Sequence, residues 1–386
     1  MDNNALTIFH LDDGRELRGG QRQLLYLVKE LNVLGHSNTV VCRKGSPLHK
    51  AAERKGFKVL TLPYFFEWDP VSALLLRRAL KALPPSKFPP VLHSHTAHAA
   101  AMAWLASVGL CGVRVAHRRV DFVPGWFTAR FKYAKAHSVI AISEAVKEIL
   151  LKADVPEEKV AVVNSTIDLD DTPWASGEFA AYRQAARADL AAELHLPTDA
   201  FWAGSLIALV PHKDPENMVR AAALVLQDTP GAYFLIAGEG PLKERTEHLA
   251  RMLKVQDRFK LIGYRKDPYK VLAALDMFVL SSCEEGMGSV LVEAMNAGLP
   301  IVATTAGGIG DVIENGANGL TVPPRDHAAL AAAALRLIHD ADLRARLAAE
   351  AHRRREDFSS PRMAALTLKC YETAIENFKR NRHPLE

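Results

Sequence analysis

The segment MFVLSSCEEGMGSVLVEAMNAGLPIVATTAGG, residues 277–308, contains the pattern that decides the fold. It opens with a short apolar run that predicts a buried strand at Met277–Leu280. A loop with Gly286 and Gly288 follows, then apolar residues at helical spacing, then a second strand at Ile301–Ala303. A strand, a helix and a strand at this spacing predict two parallel strands joined by a crossover helix.

The same alternation continues on both sides of this segment. In the first part, strands are expected near Leu6–Leu11, Thr39–Cys42, Val59–Leu62, Val91–His93, Val113–Ala116, Val139–Ala141 and Val160–Val163. In the second part, they are expected at Ser205–Leu209, Tyr233–Ala237, Phe259–Ile262, Met277–Leu280, Ile301–Ala303 and Gly319–Val322. A polar stretch from Asn164 to Trp174 separates the two series, and 386 residues exceed one typical core. The sequence therefore predicts two doubly wound α/β domains with a ligand-binding cleft between them.

Helices are expected between the strands and in the tail. Gln21–Leu34 is amphipathic and is followed by Gly35, which is typical of a helix end. The tail predicts helices at Ala328–His339, Ala341–Arg355 and Pro361–Lys379. The expected domains are residues 1–167, joined by a returning helix at about 366–386, and residues 168–365.

Composition narrows the class of protein. The four cysteines share no metal-site spacing, so we expect reduced thiols and a cytoplasmic protein. The first residues lack the long apolar core of a secretory signal. The longest apolar run, Ala99 to Val113, is shorter than the roughly 20 residues of a membrane-spanning helix and predicts a buried helix that leads into a strand.

Charge is distributed unevenly along the chain. Residues 1–165 contain 23 Lys and Arg against 14 Asp and Glu, whereas the remainder contains 25 against 30. A basic first domain favours anionic partners, and peripheral contact with the inner face of a membrane is one expectation. An ordinary solvated basic surface is equally compatible with these residues, because they are dispersed. No nucleic-acid partner is predicted.

The loop and helix at residues 285–293 have the chemistry of a phosphate and sugar site. A helix start preceded by glycines presents free N–H groups and a positive pole, which suits a diphosphate. Glu285 and Glu293 offer carboxylates that can accept hydrogen bonds from hydroxyl groups. Taken alone, the same residues also fit a glycine turn followed by an ordinary helix.

These motifs together resemble the family 4 glycosyltransferases of the GT-B fold. The resemblance rests on two glutamates separated by seven residues, followed by AMNAGLP and TTAGG. It extends to HLDDGRELRGGQRQLLYLVKEL, VLHSH, VIAISEAVKE, VVNSTIDLDD, LVPHKD, LIAGEGPLKE and LIGYRKD. The resemblance implies the GT-B fold, with a final helix that crosses back to the first domain.

The resemblance also implies site residues. Glu285, Lys213 and His95 are expected to act on the donor sugar and its diphosphate, with Glu285 at the sugar hydroxyls and Lys213 at the charge that develops on the leaving phosphate. The donor-binding residues implied are Gly20, Gly263, Tyr264, Gly286, Gly288, Ser289, Val290 and Glu293. Without the resemblance, Lys213 would be interpreted as an exposed lysine before a helix.

One position departs from the family pattern. Many relatives have an arginine five residues before the lysine, and this chain has Ala208. Candidates for the missing cation at the phosphates or at an anionic acceptor are Arg118, Arg119, Arg22 and Arg265. A surface salt-bridge cluster is the alternative interpretation of the segment AHRRVDF, which places His117, Arg118, Arg119 and Asp121 at a strand end.

The first domain contributes two further expectations. Gly19 and Gly20 are expected in a loop after the first strand, where they resemble the family's phosphate loop and do not match the dinucleotide pattern GxGxxG. His93 and His95 end a strand and are expected on opposite faces, with His93 packed and His95 at the donor sugar.

No metal or cofactor is predicted. Asp168-Leu169-Asp170 has the spacing of a DxD metal motif but falls in the linker, where we interpret it as a turn. The donor is expected to be a UDP- or GDP-linked sugar.

The function implied is a retaining glycosyltransferase of cell-envelope polysaccharide or lipopolysaccharide biosynthesis. It would move a hexose-type sugar to a hydroxyl of a glycolipid, lipopolysaccharide or polysaccharide acceptor, without a protein nucleophile. A nucleotide-sugar epimerase of the same fold and a noncatalytic nucleotide-sugar-binding protein are the alternatives. The first domain would bind the acceptor and the second the donor.

Overall fold

The chain folds into two compact units. The computed structural model describes residues 5–120, 122–168, 172–175 and 177–380. Unit 1 contains the described residues up to Thr166 together with those from Ser360 onward, and unit 2 contains Ile167–Ser359. The chain therefore returns to unit 1 at Ser360, before the position near 366 that we expected.

Unit 1 is built on a parallel sheet. Its strands are β1 Thr7–Leu11, β2 Ser37–Arg43, β3 Val59–Leu62, β4 Val91–Ser94, β5 Val113–Arg118, β6 Ser138–Ala141 and β7 Val160–Val162. They lie in the order β3-β2-β1-β4-β5-β6-β7, and every pair is parallel. The order reverses beside β1, so the sheet is doubly wound and the strand predictions are confirmed.

Helices cover unit 1's sheet. They are α1 Gly19–Val33, α2 Pro47–Arg54, α3 Pro70–Lys81, α4 Ala97–Ser107, α5 Trp126–Thr128 and α6 Glu144–Lys152, with a π-helical turn at Ala129–Tyr133 and a 3-10 turn at Glu157–Lys159. Side-chain oxygens of Ser46, Asp69, Thr96 and Ser143 accept hydrogen bonds from the first turns of α2, α3, α4 and α6. These residues fix where the helices begin.

The expected glycine loop before α1 is wrong. Gly19 and Gly20 are the first residues of the helix, and Arg18 is its N-cap residue. The Gln21 side chain accepts a 3.0 Å hydrogen bond from the Arg18 N–H, which is the half of a capping box that an arginine at the N-cap permits. This cap extends the helix back over both glycines, although glycine has a low helix propensity.

Unit 2 has a second parallel sheet. Its strands are β8 Trp202–Leu206, β9 Tyr233–Ala237, β10 Phe259–Leu261, β11 Met277–Leu280, β12 Ile301–Thr304 and β13 Leu320–Val322. They lie in the order β10-β9-β8-β11-β12-β13. Five of the six predictions fit, but β8 begins three residues before the expected Ser205. A Cβ atom at Gly204 would lie 2.7 Å from Leu275 Cδ2, so close packing requires glycine at this position. Because glycine is unusual inside a strand, the sequence pattern placed the start of β8 too late.

Unit 2's helices complete the fold. They are α7 Phe179–Leu194, α8 Pro215–Asp228, α9 Lys243–Met252, α10 Pro268–Ala274, α11 Ser289–Asn296, α12 His327–His339 and α13 Ala341–Arg354. Shorter 3-10 turns lie at Pro211–Lys213, Gly307–Asp311 and Arg355–Phe358. Among the described helices, none is both long enough and apolar enough to cross a membrane.

The last helix, α14 Ser360–Arg380, is part of unit 1. Its side chains Met363, Tyr371 and Ile375 join a core cluster with residues of β1, β4 and β5. The fully buried Tyr371 hydroxyl lies 2.8 Å from His93 Nδ1, so the helix is fixed by a polar contact as well as by apolar packing.

Gly307→Ala should destabilise unit 2. Gly307 has φ +51°, and a Cβ atom there would lie 1.9 Å from the Glu285 carbonyl oxygen. Positive φ and a backbone clash together should cost more than about 2 kcal/mol of unfolding free energy, measured by chemical denaturation. Gly310→Ala is the matched control, because nothing lies within 4 Å of its Cβ position. Equal stability of the two variants would contradict this packing.

Candidate functional site

The carboxyl ends of strands β8 to β12 form one edge of the unit 2 sheet, which we call the unit 2 edge. Lys213 follows β8, and its Nζ pairs with Glu285 Oε2 in the loop after β11. Both side chains are less than a fifth exposed. Ser282 Oγ donates a second hydrogen bond of 3.1 Å to Oε2. Two predicted catalytic residues, 72 positions apart in sequence, are thus in contact.

Backbone contacts hold the Glu285 loop against its neighbours. The Gly308 N–H donates a 2.9 Å hydrogen bond to the Glu285 carbonyl. The Cys283 N–H donates one of 2.9 Å to the His212 carbonyl. Ser281 Oγ lies 3.1 Å from the Lys213 carbonyl oxygen. The lysine and glutamate are therefore positioned by main-chain contacts of their own loops and not only by their mutual attraction.

Helix α11 begins directly after this loop. Gly288 is its N-cap residue with φ +79°, and no side chain caps the helix. The Leu291 N–H donates to the Gly288 carbonyl at 2.8 Å, and the N–H groups of Ser289 and Val290 before it are the ones that suit an anion. Gly286 lies in the preceding loop, Val290 in the first turn, and Glu293 five residues into the helix.

Two more predicted donor residues lie at the same edge. Gly263 follows β10 with φ +70°, and its carbonyl accepts a 2.8 Å hydrogen bond from the Gly238 N–H. Tyr264 beside it is 69% exposed. The unit 2 edge therefore carries the predicted donor residues apart from Gly20 and His95, which belong to unit 1.

Arg265, one candidate for the cation that would replace the family arginine, is already paired with two carboxylates. Its guanidinium is held by Glu193 and Asp267, with contacts of 2.5 and 3.0 Å, and these carboxylates raise its pKa above the ordinary value. Arg325, which follows β13 and was not among the sequence candidates, lies near the loop that carries Glu285. Its Nη2 lies 3.9 Å from Cys283 Sγ, and its charge lowers the pKa of Asp214, although burial raises that pKa overall.

A cavity of about 760 Å³ also lies in unit 2. It is lined by residues that include Trp174, Asn296 and His352, and by none of the predicted donor residues. We therefore assign the candidate site from the chemistry of the unit 2 edge and not from cavity size.

In unit 1, the loop after β1 is ordered by an aspartate. The Asp12 carboxylate accepts hydrogen bonds from the Gly14 N–H at 2.8 Å and from Gln21 Nε2 at 3.1 Å. Burial raises the pKa of Asp12. A Cβ atom at Gly20 would lie 3.4 Å from the Arg119 side chain, so Gly20 packs beside Arg119. Arg22 is exposed on α1.

Histidines fill the interior near this loop. We call His10, His93, His95, His117 and Arg119 the histidine network. The ring centroids of His93 and His95 are 4.1 Å apart, so the expectation that they point to opposite faces is wrong. Side chains two residues apart in a strand lie on the same face, and His95, one residue beyond the end of β4 at Ser94, keeps the direction of His93. His93 is packed against Tyr371, as predicted.

The two arginines after the β5 histidine have different surroundings. Arg118 is 3% exposed; it donates to the Phe122 carbonyl and lies 3.2 Å from the Tyr133 hydroxyl. It is thus bound within the protein. The Arg119 Nη2 lies 3.0 Å from His95 Nδ1 and 3.2 Å from His117 Nδ1.

Two predicted polar positions are only partly described. Asp121 lies outside the described residues. Of the segment Asp168-Leu169-Asp170, only Asp168 is described, and it is buried. The interpretation of this segment as a turn stays a prediction.

Burial dominates the electrostatics of the histidine network. It lowers the pKa of His10 to about 4. It holds those of His93, His95 and His117 well below the ordinary value, with the Arg119 charge acting in the same direction. Burial also lowers the pKa of Arg119 to about 10, so Arg119 remains charged at neutral pH while the imidazoles are neutral.

Comparison with known families agrees with the fold and the motifs. Residues 187–354 match the model of the glycosyl transferases group 1, and residues 17–171 match that of glycosyltransferase family 4. Together these matches cover most of both units. The chain belongs to the group 1, family 4 glycosyltransferases.

Individual relatives are more distant. The chain is 34% identical over 158 residues to the lipopolysaccharide core biosynthesis glycosyltransferase LpsD of Rhizobium meliloti, covering 41% of this chain and 45% of that protein. It is 30% identical over 251 residues to the D-inositol 3-phosphate glycosyltransferase of Streptomyces scabiei, covering 62% and 54%. The chain thus spans about half the length of these curated relatives.

Solved structures share the whole fold. Anabaena Alr3699/HepE in complex with UDP is 21% identical, with a TM-score of 0.79 over 95% of this chain and 100% of that one. A glycosyltransferase from Rickettsia africae is 20% identical, with a TM-score of 0.81 over 97% and 100%. These similarities establish the GT-B fold.

Acidification should destabilise unit 1 selectively. Because the folded pKa of its buried histidines is lowered, the unfolded chain binds protons below about pH 6.5 that the folded chain does not. Stability is therefore complete above that pH and falls as the pH decreases towards the folded pKa. For His10 alone, the loss by pH 4 is about 3 kcal/mol.

Hydrogen exchange at several pH values, corrected for intrinsic rates, checks this expectation. Protection in β1 and β4 should fall between neutral pH and about pH 5, whereas β8 and β11 of unit 2 serve as the internal control. Equal loss in both units would contradict the assignment to buried histidines.

Proposed function

We propose that this protein is a retaining glycosyltransferase that takes a hexose-type sugar from a UDP- or GDP-linked donor. The acceptor is a hydroxyl of a glycolipid, lipopolysaccharide or polysaccharide. Unit 2 binds the donor and unit 1 the acceptor. The observation that supports this most directly is the contact of Lys213 with Glu285 beside the uncapped start of α11.

The contact provides both groups that a donor needs. Lys213 is a cation beside N–H groups that suit a diphosphate, and it would stabilise the charge on the leaving phosphate. Glu285 Oε2 accepts hydrogen bonds from both Lys213 and Ser282, and no partner of Oε1 is seen among the described residues. Oε1 is therefore the oxygen that we assign to a sugar hydroxyl.

Retention of configuration follows from the family resemblance. In such enzymes the leaving phosphate takes the proton of the acceptor hydroxyl on the same face of the sugar. Glu285 is held by Lys213 and Ser282, an arrangement that suits hydrogen bonding to the donor more than nucleophilic attack. The names of the relatives, including LpsD, support an acceptor in cell-envelope polysaccharide.

Incubation with a panel of UDP- and GDP-linked sugars tests the function. The proposal expects a rise in melting temperature with the correct donor and slow release of free sugar. A changed sugar on the nucleotide would indicate an epimerase. Binding of the donor without turnover, in the presence and in the absence of glycan acceptors, would indicate a noncatalytic protein. Either result would contradict the proposal.

Glu285→Ala should reduce transfer at least about a hundredfold, because the donor loses an aligned acceptor and Lys213 its partner. The fold should persist, as judged by circular dichroism. The matched control is Glu284→Ala, since Glu284 is the exposed neighbour. Near-normal transfer by the Glu285 variant would refute the donor-site assignment.

We also propose peripheral contact of unit 1 with an anionic membrane. Phe122, Val123 and Trp126 after β5 are 66%, 69% and 71% exposed, so apolar surface lies in a basic unit. Exposed aromatic side chains beside positive charge favour lipid headgroup regions.

Trp126→Ser should weaken binding to phosphatidylglycerol vesicles several-fold, and added salt should weaken binding of the unaltered protein. Sedimentation with vesicles measures both effects. Val33→Ser, which removes a 77% exposed side chain on α1, is the control. Vesicle binding that is weakened neither by added salt nor by Trp126→Ser would contradict this contact.

A further inference from the structure

A line of hydrogen bonds crosses the interior of unit 1. The Arg119 Nη2 lies 3.0 Å from His95 Nδ1, and His95 Nε2 lies 3.2 Å from His10 Nδ1. His10 Nε2 lies 3.0 Å from Asn38 Oδ1. The Asn38 amide nitrogen donates to Asn32 Oδ1 at 2.8 Å. His10, Asn38 and His95 are buried.

At each end of this line stands a group that can only donate or only accept a hydrogen bond. Arginine has donors and no acceptor, so His95 Nδ1 must accept and its proton must be on Nε2. That proton then points to His10 Nδ1, whose ring donates from Nε2 to Asn38. At the other end, the Asn38 amide nitrogen also lies 3.1 Å from the His36 carbonyl, which can only accept, so the Asn38 amide cannot be reversed.

We infer that Arg119 is a positioning residue that fixes His95 as the Nε2–H tautomer and leaves it no free lone pair. A general base needs a lone pair facing the proton that it removes. His95 therefore serves the proposed transfer as an oriented neutral ring and not as a base. This consequence rests on the proposed function, whereas the tautomer itself does not.

The surroundings of His95 agree with this arrangement. The groups that titrate or carry charge around it are His93 on its own strand, His10 from β1, and His117 and Arg119 from β5 and its end. Asp12 interacts with Arg119 and partly offsets its charge. Burial and the Arg119 charge both disfavour a protonated His95, so the neutral ring persists through the physiological range.

The same hydrogen bonds disfavour metal binding. One nitrogen from each of His10, His93 and His95 lies within 4.8 Å of the others, a spacing that suits three metal ligands. Ligation by His95 Nε2 would move its proton to Nδ1, where it would face the Arg119 donor. The fixed cation would also repel a metal ion.

Long-range ¹⁵N spectra of the histidines in the full chain test the inference without any activity. The His95 signals, assigned by loss in His95→Gln, should show a protonated Nε2 and an unprotonated Nδ1. Arg119→Met, which keeps volume but removes the donors, should populate the other tautomer, and Arg119→Lys should restore the original one. Arg114→Met is the matched control, because Arg114 contacts His137 and not His95.

An Nδ1–H tautomer in the unaltered protein would overturn the inference, whether or not the variants fold. So would binding of one Zn²⁺ that is lost in His95→Gln. Where transfer is measurable, kcat/KM should show no ionisation that depends on His95 between about pH 5.5 and 8.5. A basic limb that disappears in His95→Gln would also overturn it. Absence of transfer with the expected spectra would refute the proposed function alone.

Discussion

Close main-chain contact between neighbouring loops at the unit 2 edge is the constraint on which the candidate site depends. Gly307 packs where a Cβ atom would meet the Glu285 carbonyl, and Gly238 packs where one would meet the Ile207 carbonyl at 1.8 Å. Only glycine permits such contacts at positive φ. They join the loop after β8 to the loop after β9, and the loop after β11 to the loop after β12. Hydrogen bonds from Cys283 and Ser281 to the carbonyls of His212 and Lys213 hold the β8 and β11 loops together, so Lys213 and Glu285 meet although they belong to different crossover units.

This arrangement explains why charged groups can be held at a largely buried position. An ion pair with less than a fifth of each side chain exposed is useful only when its geometry is maintained, because desolvation opposes it. Here the loops maintain the geometry through main-chain hydrogen bonds. The pair therefore marks a preorganised site and not a major source of stability.

The sequence predicted the strands well because parallel, two-sided burial leaves short apolar runs that are easily read. The start of β8 was missed because Gly204 is dictated by packing against Leu275, which no local pattern reveals. The helical start at Gly19 was missed because a cap formed by Arg18 and Gln21 outweighs glycine propensity. Arg265 was a reasonable candidate cation, but its partner Glu193 is distant in sequence.

In unit 1, the histidine network could not be predicted from the sequence. His10 attracted no attention in the sequence, because a histidine in a strand has no local signature. Its importance comes from β1 and β4 being adjacent, with His10 opposite His93 in register. The direction of the hydrogen bonds then depends on Arg119 and the His36 carbonyl, which are determined by tertiary structure alone.

Hydrogen exchange with and without UDP and GDP tests the central claim, that the unit 2 edge binds a nucleoside diphosphate donor. The account predicts that the nucleotide that binds slows exchange in the loop and first turn at residues 281–290 and in the loop at residues 207–214. Binding that leaves both segments unchanged and protects another part of the chain would contradict it.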